Sequence, residues 1–144
     1  MLKMLRQRIQ DDKGFTLIEL MVVVLIIAIL IAIAIPTFLG LRERAQDRAA
    51  QAELRDGLTA AKAYYTDDET YDGFDDATAE TIEPSLNWAG GEPDIETAAG
   101  DTVRLTEASE SDTVFCIGDV DGETVYGSGA DAAAAVAACT ADEW

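Results

Sequence analysis

Residues 15–35 form a run of 21 positions broken only by Thr16 and Glu19, and from Leu20 to Ile35 every side chain is apolar. At ~1.5 Å per residue such a run makes a helix of about 30 Å, the thickness of a bilayer's hydrocarbon core. The remainder of the 144-residue chain suffices for one small core and cannot also wrap an apolar helix of that length. The run therefore predicts a membrane-spanning helix over residues 15–39. Lys3, Arg6, Arg8 and Lys13 precede it and Arg42, Arg44 and Arg48 follow it, so the positive-inside rule leans only weakly toward a cytoplasmic N-terminus.

Charge divides the chain as sharply as hydropathy does. Residues 63–144 hold 21 acidic residues against Arg104 alone, within a total of 28 acidic and 10 basic residues and a net charge of −18. Histidine is absent and there are two cysteines. These counts exclude Ser-His-Asp and Cys-His catalysis, His-ligated zinc or haem, and a four-thiolate zinc site. A stretch at −20 also repels phosphate backbones, whose affinity for proteins comes largely from Lys and Arg, so direct nucleic-acid binding is not expected. No nucleophile-base pair is recognisable, which leaves an enzyme as the weakest reading, and no cofactor is expected.

Two details separate the apolar run from an ordinary secretory signal, whose shorter hydrophobic stretch is followed by a small-residue cleavage site. Here the small residue, Gly14, comes before the run. Cutting there would remove the basic leader and leave the hydrophobic helix on the mature chain. The second detail is Glu19, because a carboxylate inside a spanning helix costs on the order of 2–3 kcal/mol and needs a partner. A cut after Gly14 places a new amine on Phe15, four residues from Glu19, at a helix end that itself favours an anion.

The sequence KGFTLIELMVV of residues 13–23 resembles the type III signal of bacterial type IV pilins and their pseudopilin relatives. The resemblance covers residues 1 to about 65. It implies that a prepilin peptidase cuts between Gly14 and Phe15, removing residues 1–14, and methylates the Phe15 amine. It implies also that Glu19 sets subunit register against the Phe15 amine of a neighbour, and that Pro36 bends the helix, with Gly40 close behind. Proline removes a helical hydrogen bond and crowds the preceding turn, so a kink or local melting is expected near residues 32–40.

Beyond Gly40 the composition stays helical, and Ala50, Leu54, Leu58, Ala61 and Tyr65 recur at the spacing of one apolar stripe. The expected fold class is α+β: a helix from about 15 to 65, roughly 75 Å long, on a small antiparallel sheet. Residues 66–101 read as loop, pinned by Tyr71, Phe74, Ile82, Leu86 and Trp88. Residues 102–105, 113–120 and 123–126 read as strands, the last two joined by a tight turn at Asp121-Gly122. Residues 130–138 read as a helical turn or an irregular arm.

Export of the acidic head into an oxidising compartment, together with the C-terminal disulfide loop of many pilins, implies a Cys116–Cys139 bridge. Its loop would contribute roughly 3 kcal/mol. Asp119, Asp121 and Glu123, and separately Asp67, Asp68 and Glu69, are weak candidates for a calcium site. Calcium wants six to eight oxygens, and alternating acids along a strand can equally line a solvated face. The resemblance implies a structural subunit of a type IV pilus, inserted in the inner membrane as a single-pass precursor and polymerised into a surface filament. Its partners would be further pilin subunits, a prepilin peptidase and the inner-membrane assembly machinery. A pseudopilin of a type II secretion system and a single-span anchored ligand-binding domain are the alternatives.

Overall fold

The computed structural model describes residues 14–140 and 144. Residues 1–13 of the leader, Lys13 of the motif among them, lie outside the described residues. The chain divides into two compact units, Met1–Gly40 and Leu41–Trp144. One α-helix, α1 (Leu17–Asp68), contributes to both.

In the first unit the helix stands alone. Every residue from Leu17 to Leu39 is exposed, and this stretch alone among the described residues is long and apolar enough to cross a membrane. Such exposure is expected of a segment whose solvent is lipid or neighbouring helices.

The second unit is α+β. After α1 come a short helix α2 (Asp76–Ile82), a 3-10 turn at Trp88–Gly90, strands β1 (Asp94–Ala99), β2 (Thr102–Ala108), β3 (Val114–Val120) and β4 (Glu123–Gly129), and a closing helix α3 (Ala132–Ala138). The sheet is a fully antiparallel meander in the order β1-β2-β3-β4. Strand alternation assigns its two faces. Val103 and Leu105 of β2 and Phe115 and Ile117 of β3 meet Ala50, Leu54, Leu58 and Ala61 of α1 in one core, with Tyr65 half-buried at its margin. Cys116 points to the opposite face, where α3 covers it. Leu54 is fully buried, so truncation to alanine there would cost about 2–5 kcal/mol.

Asp121 and Gly122 both adopt positive φ, 54° and 84°, the conformation that a two-residue type I′ hairpin turn demands. Residues 66–101 are more ordered than a loop: α1 runs on to Asp68, Asp75 caps α2 by accepting from the Thr78 N–H at 2.9 Å, and β1 adds an edge strand. Tyr71, Phe74 and Trp88 are buried anchors and Leu86 is half-buried. Ile82 stays 38 % exposed at the end of its short helix and anchors little. The tail resolves as a helix, opened by Asp131 accepting from the Ala134 N–H at 2.8 Å.

Candidate assembly site

Gly14, Phe15 and Thr16 precede the first turn of α1. Nothing lies within 4 Å of a Cβ added at Gly14, and Phe15 is 80 % exposed, so the Gly14–Phe15 bond is sterically open. Thr16 and Glu19 then form a reciprocal capping box. The Thr16 N–H and hydroxyl donate to Glu19 Oε2 at 3.0 and 2.6 Å, and the Glu19 N–H donates to the Thr16 hydroxyl oxygen at 3.2 Å. The T-x-x-E spacing is itself the signature of such a box, two orphan donors of a helix end satisfied at once. Sequence reasoning that weighed Glu19 only against the Phe15 amine missed it. Both bonds fall on Oε2; Oε1 accepts none among the described residues.

Residues 32–40 are helical throughout, so local melting at Pro36 does not occur here. The Pro36 ring removes the N–H that Ala32 would otherwise receive. One residue on, the Thr37 hydroxyl donates to the Ile33 carbonyl at 3.1 Å, a back-bond of the kind that favours bending of a helix and leaves the Ala32 carbonyl without its donor. Gly40 marks the sequence boundary between the two units.

In the head, the acidic residues do not behave alike. Asp119 does not line a solvated face: it is 5 % exposed on the inner side of β3. Its Oδ2 lies 3.0 Å from Lys62 Nζ of α1, and its Oδ1 accepts from the Gly122 N–H at 2.9 Å. Lys62 also donates to the Thr124 hydroxyl at 2.8 Å, so one ammonium joins α1 to β3 and β4. Burial and the neighbouring Asp119 push the Tyr71 hydroxyl well above the ordinary phenol range. Asp121, Glu123, Asp67, Asp68 and Glu69 are exposed. Among the described residues no group of three or more acidic or cysteine side chains is set to hold a metal ion.

The least expected charge is Glu107. It follows Val103 and Leu105 on the inner face of β2, only 6 % exposed, and its Oε2 has no donor. It opens onto a groove of about 440 Å³ with Glu53 of α1 and Glu92 of the loop before β1. Burial first, and then Glu53 and Glu92, push its carboxyl up to about 8. Beside the groove the β2–β3 turn is tied to α1: the Ser109 and Ser111 hydroxyls both donate to Asp47 Oδ1, at 2.8 and 2.5 Å.

Cys116 and Cys139 form a disulfide, with Cα atoms 5.9 Å apart and both residues wholly buried. It joins β3 to the end of α3. Gly127 and Gly129 of β4 make that packing possible, since a Cβ at Gly127 would lie 2.6 Å from the Ala135 carbonyl oxygen and the Cys139 nitrogen. The alternating glycines of Tyr126-Gly127-Ser128-Gly129 were a sequence signal for close approach. Trp144 donates to the Cys116 carbonyl at 3.1 Å and lies edge-on to Phe115 and Tyr126.

Residues 9–35 match the family model of the prokaryotic N-terminal methylation motif. The chain is 44% identical over 63 residues to the type IV major pilin protein of Myxococcus xanthus, covering 44% of this chain and 29% of that protein. It is 45% identical over 62 residues to the major component of the type IV wide pilus of Thermus thermophilus, 43% of this chain and 47% of the relative. These two matches span less than half of each relative's length. The major component of the type IV narrow pilus of the same organism is 33% identical over 117 residues, 81% of this chain and 89% of the relative. No solved structure matches the chain.

Proposed function

The chain belongs to the type IV pilin family, and from that premise we propose that it is a major-pilin-like structural subunit of a type IV pilus. The observation that carries the reading is a likeness extending over head as well as helix, 117 residues long, to a pilus major component. A prepilin peptidase cuts between Gly14 and Phe15 and methylates the new amine. The apolar stretch of residues 15–39 first holds the precursor in the inner membrane as a single span. It then leaves lipid for a bundle of equivalent helices, with Pro36 and Gly40 giving the segment its point of bending. The work is assembly rather than catalysis.

Glu19 sets the register in this scheme. Its Oε2 is held by Thr16, which fixes the rotamer and leaves Oε1 to accept from the Phe15 ammonium of a neighbouring copy. In lipid-like surroundings an unpaired carboxylate is costly, so copies slide until the pair forms.

Two substitutions test the scheme in cells expressing the full chain. Glu19→Ala should be cut and inserted normally yet yield few surface filaments by electron microscopy. Gly14→Val should accumulate as an uncut precursor by mass spectrometry. Wild-type filament numbers in the first, or a processed mass in the second, would overturn the assigned roles.

A further inference from the structure

A buried carboxyl with an unpartnered oxygen needs either a proton or a cation. Glu107 is in that position, and its groove gathers Glu53 and Glu92, with Glu110 and Arg42 at the rim. Arg42 already lies near Glu110, at 4.0 Å and largely exposed. The floor on the helix side is Ala45, Ala49 and Ala50, side chains too short to fill the space. The groove is therefore roomy and acidic, and within one chain the buried Glu107 carboxyl is satisfied only by a proton shared with Glu53.

The complementary charge is carried by the same stretch of helix. At ~100° per residue, Arg44 and Arg48 lie about 170° and 130° around α1 from the centre of the groove-lining residues, Arg48 being about 60° from Ala45 at the groove's edge. Both are exposed, and neither has a carboxylate within salt-bridge range among the described residues.

We propose that the Glu53–Glu92–Glu107 groove receives the Arg44–Arg48 edge of a second copy of this chain, an arginine entering to bond the buried Glu107 carboxylate as its proton is released to solvent. The inference rests on the pilus reading, because it requires copies held side by side. An arginine suits the site better than a bare ion: its guanidinium is weakly hydrated and bonds a carboxylate through two parallel N–H groups. Donor and acceptor lie on opposite faces of one helix, so the contact is heterologous. Repeated from copy to copy, such a contact propagates into a filament instead of closing a dimer. Arg48 and Arg44 precede Glu53 by five and nine residues, so contacting copies are offset along the helix by roughly 8–14 Å.

Charge exchange tests the contact, scored as sedimented filament per cell from the full-length chain. The exposed positions are used so that the fold survives, and thermal melting of the purified chain in detergent verifies that it does. Glu53→Arg alone, and Arg44→Glu with Arg48→Glu, should each lower the yield about tenfold or more, as loss of a close charge pair does. All three changes together should restore it to within about threefold of wild type. A combined variant as poor as its parents, or parents that assemble like wild type, overturns the contact. Loss of wild-type filaments on adding EDTA that monovalent salt does not restore, and that Glu53→Arg abolishes, overturns it in favour of a divalent cation in the groove. A wild-type chain that never sediments as filament fails the pilus reading itself, a result distinct from intact filaments without rescue.

Discussion

In the proposed filament Glu19 serves two scales of structure. Its Oε2 completes the first turn of α1 through two bonds from Thr16, at 3.0 and 2.6 Å. That leaves its rotamer fixed before any neighbour arrives. Thr16→Val removes the hydroxyl and costs about 1 kcal/mol of cap, but it leaves the Glu19 charge in place. Filament yield should fall several-fold, less than for Glu19→Ala, and Thr16→Ser should restore it. A Thr16→Val chain that assembles like wild type would show that Glu19 needs no cap to hold its aim. Glu107 makes a second residue-scale case, with a definite pH signature. Its carboxyl is pushed up to about 8 from an ordinary 4.5, so the folded chain holds a proton that the unfolded chain releases between those values. The associated stability is fully present below about pH 4.5 and is lost as pH rises through about 8. Glu107→Gln should flatten that loss and exceed wild type by roughly 1–3 kcal/mol above about pH 8. The buried Trp88 offers a fluorescence readout of melting, and equal pH slopes for the two chains would sink the assignment.

Among the elements, those with a strong period were legible and those defined by packing were not. The stripe Ala50, Leu54, Leu58 and Ala61 announced the buried face of α1, and Asp121-Gly122 announced the β3–β4 turn. β1 was hidden because Asp94-Ile95-Glu96-Thr97-Ala98-Ala99 lacks the branched and aromatic residues of a central strand. Its acidic, half-exposed pattern suits an edge, where charge discourages pairing with another chain. Glu107 was hidden for the opposite reason, since nothing in the sequence marks which of 28 acidic residues ends an inward-facing strand. The tail α3, only seven residues long, is too short to be stable alone. Its order comes from the disulfide and from the close approach allowed by Gly127. Gly127→Ala would drive a methyl to 2.6 Å from the Ala135 carbonyl oxygen and should cost about 1–3 kcal/mol. Cys139→Ser should cost roughly 3 kcal/mol by the loop it opens. In both, the melting temperature falls, and a tail that stays protected from proteolysis would count against this account.

At the scale of the whole molecule the division between apolar helix and acidic head governs how copies meet. The apolar residues of 17–39 are all exposed in the single chain, a surface far larger than a soluble monomer tolerates, and it is covered either by lipid or by close packing against equivalent helices. The head opposes it. The proposed removal of residues 1–14 would take away four basic and two acidic residues, leaving six basic against 26 acidic and a net charge of −20. Heads at that charge repel over distances set by ionic strength, with a Debye length of about 30 Å at 0.01 M falling to about 3 Å at 1 M. Added monovalent salt should therefore raise the amount of filament recovered, and divalent cations should do so at lower concentration. An arginine buried against Glu107 is shielded from solvent ions, so this screening weakens it far less than it weakens repulsion between exposed carboxylates. The two terms separate experimentally. Salt should increase the yield of wild-type filament while leaving the loss caused by Glu53→Arg largely uncorrected. If salt instead dissolves wild-type filaments, attraction between exposed charges outweighs head repulsion, and the acidic surface is holding the polymer together.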